Sequence, residues 1–144
     1  MLEQKGGVMA GRVLVLMGSE SDRSTMQKGV DVLTEAGVEV DVRVSSAHRE
    51  PVRTAEIASS AEAEGFSVVI CGAGLSAALP GVVAAHTSLP VIGVPISAGT
   101  LGGLDALLSI AQMPPGVPVA AVGIDNSRNA AHLALRLLGG RNGS

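Results

Sequence analysis

Apolar residues return along this chain in two alternating rhythms. Residues 13–16 are apolar and uncharged, as in a strand buried on both faces of a parallel sheet, and Met26, Val30, Leu33 and Ala36 then recur at helical spacing. A helix over about 22–36 is predicted, closed by Gly37 as a C-cap. Val38, Val40, Val42 and Val44 alternate with Glu39, Asp41 and Arg43, which fits an edge strand with one solvated face. A helix follows over 51–65, with Pro51 in its first turn and Ala55, Ile57, Ala58 and Ala61 on its apolar face. The cycle then repeats as a strand at 67–72 and a helix at 79–85, a strand at 90–95 and a helix at 104–111, and a strand at 117–124. A last helix runs through Leu137 and Leu138 to Gly139-Gly140. This alternation predicts a single doubly wound α/β domain over residues 12–144, three-layered and flavodoxin-like, with a five-stranded parallel sheet. Residues 1–11, with Gly6-Gly7 and a second Met at position 9, are expected to be a flexible leader or an alternative start.

Ligands of open α/β sheets bind beyond the carboxyl ends of the strands, so the loops at residues 18–22, 45–49 and 73–81 become candidates. The first gathers the hydroxyls of Ser19 and Ser21 at a helix N-terminus, where free backbone N–H groups suit a phosphate. Asp22 can cap that helix or accept hydrogen bonds from ribose hydroxyls. The second sets His48 and Arg49 side by side, an imidazole able to give and take a proton next to a permanent cation. The third consists of small residues that let backbone approach a ligand, although close helix–strand packing selects the same residues. Elsewhere Asp125-Asn126-Ser127 reads as capping with no more behind it, and His86 and His132 read as structural or solvated. The rigid Met113-Pro114-Pro115-Gly116 turn suits a subunit contact or a ligand contact.

Composition narrows the partners. A formal net charge of -3 without any Lys/Arg run argues against nucleic acid or an anionic membrane. Phe66 is the only aromatic residue in 144, so the chain has no base-stacking platform. The apolar stretches are interrupted well before the ~18 residues of a membrane span, and a cytoplasmic protein is expected. Cys71, the single cysteine, permits neither an intrachain disulfide nor a cysteine metal cluster, and its neighbours make it a buried small hydrophobe.

Taken in order, Met17-Gly18-Ser19-Glu20-Ser21-Asp22, Ser46-Ala47-His48-Arg49, Gly72-Ala73-Gly74 with Leu79-Pro80-Gly81, and Gly93-Val94-Pro95 form a specific set. The set is completed by Ser109-Ile110-Ala111-Gln112-Met113-Pro114 and Asn129-Ala130-Ala131. Over about residues 12–138 the chain resembles the N5-carboxyaminoimidazole ribonucleotide mutase family of purine biosynthesis. The resemblance implies that Ser19, Asp22 and Arg49 contact the nucleotide and that His48 is the acid/base, with Ser21, Ser46, Gly74 and Ser76 among the expected substrate contacts. It implies no metal, ATP or organic cofactor, and a homo-oligomer, an octamer in that family.

The chain also departs from the family. Leu75-Ser76-Ala77-Ala78 follows Gly74 where the family has Gly-Gly-Ala-Ala-His, so Ala78 replaces a second histidine. Activity is expected to be retained but altered, with poorer retention of carbon dioxide. The family carries further helix beyond the Asn-Ala segment, whereas this sequence reads to Ser144, from which a smaller or looser assembly is expected. Two alternatives stand beside the mutase. Direct carboxylation of aminoimidazole ribonucleotide is disfavoured by Arg49 and Gln112, where the related class tends to have Lys and Arg. A non-catalytic nucleotide or flavin module is disfavoured by the want of aromatics.

Overall fold

The computed structural model describes residues 11–139; of the expected leader only Gly11 falls within them. The strands are β1 (Arg12–Met17), β2 (Glu39–Val44), β3 (Val68–Gly74), β4 (Val91–Ile96) and β5 (Ala120–Ala121). The helices are α1 (Arg23–Glu35), α2 (Pro51–Ser60), α3 (Leu79–His86), α4 (Leu104–Ala111) and α5 (Ser127–Leu137), and a single 3-10 turn over Glu20–Asp22 precedes α1. All five strands are parallel in the order β2-β1-β3-β4-β5, the flavodoxin-like order, with β2 at an edge as its alternating pattern predicts.

Side chains of a strand point alternately to opposite faces, and an uncharged run such as β1 therefore feeds two cores. Val13, Val15 and Met17 pack with Val68 and Ile70 under α1 and α5, against Met26, Leu33 and Ala134. Leu14 and Leu16 pack with Val69 and Cys71 on the other face, against Ile57, Leu79, Val83 and Ile110 from α2, α3 and α4. Small residues set the spacing of these layers. A Cβ on Gly72 would lie 2.4 Å from Met26 Sδ, and one on Gly93 would lie 2.5 Å from Ile110 Cγ2. Overpacking of this kind costs about 1–3 kcal/mol.

Four expectations change. The fifth strand, expected over 117–124, pairs only at Ala120–Ala121. Pro114, Pro115 and Pro118 on its approach supply no ladder N–H, and an edge strand flanked by prolines keeps only a short pairing. Helix α2 ends at Ser60, and turns carry the chain on to Gly65, whose φ of 93° suits glycine. Asp22 makes no capping hydrogen bond; Ser19 caps the 3-10 turn instead, accepting from the Ser21 N–H. In Asp125-Asn126-Ser127 only Asn126 is a side-chain cap, accepting from the Asn129 N–H at 3.0 Å.

The other two residues of that triplet make long-range contacts. Ser127, buried, accepts from the Gly29 N–H at 3.0 Å and donates to the Thr25 carbonyl at 2.6 Å, joining α1 to α5. A Cβ on Gly29 would sit 2.4 Å from the Ser127 carbonyl oxygen, so only glycine allows the approach. Asp125, at φ 61°, accepts from the Ser97 N–H at 2.9 Å and the Ser97 hydroxyl at 2.7 Å. That pair pins the loop leaving β4 to the loop entering α5.

Candidate active site

Strands β1 and β3 lie side by side while their crossovers run to opposite faces of the sheet, which opens a crevice at their carboxyl ends. A cavity of about 380 Å³ occupies it. Loops after β1, β2 and β3 supply most of the wall and Ala98, from the loop after β4, completes it. His48, Ser19, Ser21, Asp22, Ser46, Arg49, Gly74 and Ser76, the residues expected from the sequence, all line this one cavity.

The first loop brings two hydroxyls together. Ser19 Oγ and Ser21 Oγ are 2.9 Å apart and hydrogen-bonded, with the Ser21 N–H also donating to Ser19 Oγ at 3.2 Å. Both are exposed and keep hydrogen-bonding capacity for a ligand oxygen. Arg23 is committed to Glu20 through two hydrogen bonds of 2.8 and 2.9 Å. Asp22 is half-buried, and burial raises its carboxyl above the usual aspartate range, partly opposed by the Ser19 backbone.

The second loop is a tied turn. The Glu50 N–H donates to the Ser46 carbonyl at 2.8 Å and the Arg49 N–H donates to Ser46 Oγ at 3.2 Å. The Ser46 N–H reaches Glu50 Oε1 at 3.5 Å, and Arg53 pairs with the same carboxylate at 3.6 Å. His48 and Arg49 are thereby held at an exposed corner, and Arg49 takes part in none of the ion pairs among the described residues. Beneath the turn, Ser45 Oγ and Thr54 Oγ1 form a fully buried hydroxyl pair at 2.7 Å, and Thr54 Oγ1 also donates to the Ser46 carbonyl at 3.4 Å. Thr54 escapes a sequence reading because one threonine on a helix face resembles any tolerated surface residue. Its place one turn before Ile57 and Ala58 was the available signal.

The third loop begins inside β3, which extends to Gly74. A Cβ on Gly74 would approach the Ile96 carbonyl oxygen to 3.0 Å and Ala98 Cβ to 3.2 Å, so the loops after β3 and β4 touch here. Ala98 gives no chemical hint in a sequence. Phe66 is buried beneath the Arg12 guanidinium, 4.2 Å from its ring centre, and lines no part of the cavity. His86 lies exposed at the end of α3, its Nδ1 2.9 Å from the Val82 carbonyl oxygen, and His132 is exposed on α5. Cys71 is buried in the core, which pushes its thiol far up from the ordinary value. Among the described residues, no three His, Cys, Asp or Glu side chains cluster as metal ligands. No described helix is long and apolar enough to cross a membrane.

The arrangement can seat a small anion-bearing ligand between paired hydroxyls and Arg49, with one imidazole at hand for proton transfer. Comparison with known proteins gives this chemistry a family. The family model described as AIR carboxylase matches residues 12–144. An N5-carboxyaminoimidazole ribonucleotide mutase of Pyrococcus horikoshii is 54% identical over 125 residues, 87% of this chain and 71% of that protein. A chloroplastic phosphoribosylaminoimidazole carboxylase of Vigna aconitifolia is 49% identical over 138 residues, 96% of this chain and 25% of that protein. The crystal structure of Treponema denticola PurE superposes with a TM-score of 0.80 at 32% identity, over 88% of this chain and 79% of that one. Sequence and fold converge: the chain belongs to the AIR carboxylase family.

Proposed function

We propose that this protein is an N5-carboxyaminoimidazole ribonucleotide mutase. The observation that carries the reading is the convergence of His48, Arg49 and the Ser19/Ser21 pair on one strand-end cavity, in a chain 54% identical to a mutase. The phosphate sits against Ser19, Ser21 and Arg49, where hydroxyls, a helix N-terminus and a cation coincide. Asp22 takes the ribose hydroxyls, and Ser46, Gly74 and Ser76 close around the rest of the substrate.

His48 then acts twice. As the bond from the exocyclic nitrogen to the carboxylate carbon breaks, carbon dioxide leaves and protonated His48 gives its proton to that nitrogen. The adjacent ring carbon attacks the retained carbon dioxide, a carbon–carbon bond forms, and neutral His48 removes the ring-carbon proton. Nothing is consumed and the imidazole ends as it began, which an arginine cannot achieve. Retention of carbon dioxide depends on proximity within the cavity. Exposed Leu101, Leu104 and Leu108 around α4 support assembly into a homo-oligomer, and micromolar protein should scatter light as more than a monomer. The cytoplasm is the compartment that fits this reading.

The Vigna relative favours a second reading, direct carboxylation with carbon dioxide. Substrate consumption measured with and without added bicarbonate separates the two. A mutase converts the carboxyamino substrate at a rate indifferent to bicarbonate; conversion of aminoimidazole ribonucleotide that rises in proportion to bicarbonate would overturn the mutase in favour of the carboxylase.

A further inference from the structure

Leu75 is out of place among its neighbours. Its φ of 55° lies in the left-handed region, which disfavours a residue with a side chain by about tenfold against glycine. The residue is 55% exposed, so burial does not offset that strain. The conformation is locked: the Ala77 N–H donates to the Leu75 carbonyl at 2.8 Å, and Gly74 is wedged against Ile96 and Ala98. Leu75 Cδ2 lies over Gly99, where a Cβ would come within 3.0 Å of it. A strained, exposed, branched apolar residue at a cavity wall points to a use for its side chain.

The strand order says which part of a ligand it meets. Loops after β2 and β1, on one side of the cavity, carry Ser19, Ser21, Asp22, Ser46, His48 and Arg49. Loops after β3 and β4, on the other, carry Leu75, Ala77, Ala78 and Ala98, with Ser76 as the one hydroxyl. A ribonucleotide that places its phosphate against Ser19, Ser21 and Arg49 reaches across the cavity with its flat heterocycle, one edge of the ring towards His48 and one face towards the apolar loops opposite.

We propose that Leu75 is a specificity-determining contact whose side chain covers the heterocycle of the bound ribonucleotide and keeps water from it. The inference rests on the mutase reading. Gly99 beneath it provides a floor that lets the leucine lie flat, and the Asp125–Ser97 pair holds that floor in place. Leu75 therefore discriminates between a ligand that has the ring and one that does not.

Calorimetry with two probes tests this: the stable carboxylated aminoimidazole ribonucleotide, and ribose 5-phosphate, which lacks the ring. Leu75→Gly and Leu75→Asn both accept a left-handed backbone, and neither carries a branched apolar head. Both should bind the ribonucleotide about tenfold more weakly, the scale of a lost apolar contact in a pocket. Their ribose 5-phosphate affinity and melting temperature should not fall. Leu75→Met, apolar but still strained, should bind the ribonucleotide within about twofold of wild type, as expected for exchange of one flexible apolar side chain for another. Unchanged ribonucleotide affinity in Leu75→Asn, or equal losses for both probes, would overturn the role of Leu75 and leave the mutase reading standing. A wild type that binds the ribonucleotide no better than ribose 5-phosphate would overturn both.

Discussion

Replacing Thr54 by valine removes one hydroxyl from beneath the turn that carries Ser46, His48 and Arg49, without changing side-chain volume appreciably. Ser45 and Thr54 are both 0% exposed and their hydroxyls are 2.7 Å apart. Since Thr54 also donates to the Ser46 carbonyl at 3.4 Å, the consistent proton order has Ser45 donating to Thr54 and Thr54 to the turn. Valine leaves the Ser45 hydroxyl buried without this partner, which costs about 1–3 kcal/mol. Removing both partners in Ser45→Ala/Thr54→Val leaves no stranded group and should cost less than the two single changes summed, by about 1–2 kcal/mol of coupling. Urea denaturation of the four proteins, with the midpoint shifting at constant slope, reads the cycle. The same Thr54→Val protein should show a lower kcat/KM, because the loosened turn carries the imidazole. Additive single and double changes, or a loss under about 0.5 kcal/mol in Thr54→Val, would refute the role given to the pair.

Two further outcomes are expected from the same cavity. Arg49→Ala should weaken ribonucleotide binding by about 1.5–3 kcal/mol, the range for a charged hydrogen bond, and calorimetry showing unchanged affinity would remove it from the phosphate site. Asp22, whose carboxyl titrates above its unfolded value near 3.8, binds its extra proton in the folded state, so its contribution to stability is present below about pH 4 and is lost as the pH climbs through the raised value. Asp22→Asn should therefore melt higher than wild type at neutral pH, with the advantage vanishing in acid, while binding ribonucleotide more weakly; equal melting at pH 7 would contradict the burial argument.

The sequence revealed what local physics determines. Short uncharged runs bounded by turn residues, such as residues 13–16, suit strands, and once strands and helices alternate, the carboxyl ends of the strands locate the loops at Ser19, His48 and Gly74. What stayed hidden depends on partners far along the chain. Ser127 and Asp125 look like helix caps in isolation, yet their hydrogen bonds go to Gly29 and Ser97, 98 and 28 residues away. The fifth strand was overestimated because an apolar run does not reveal how far an edge strand pairs. Thr54 and Ala98 were missed for opposite reasons, one a polar residue on a helix face and the other a residue with no chemistry of its own. The departure at Leu75-Ser76-Ala77-Ala78 was visible, but its left-handed backbone was not.

In the proposed reaction one imidazole at the strand-end cavity carries both proton transfers of a carboxylate migration. The direct measurement compares turnover of N5-carboxyaminoimidazole ribonucleotide by wild type and His48→Asn, with ribonucleotide affinity measured calorimetrically on the same samples. Wild type should convert the substrate to the carbon-carboxylated isomer, and His48→Asn should bind with unchanged affinity while turning over about 100-fold or more slowly, as loss of a general acid/base requires. Near-normal turnover in His48→Asn would contradict the assignment, and a wild type that converts neither the substrate nor its isomer would contradict the enzyme itself.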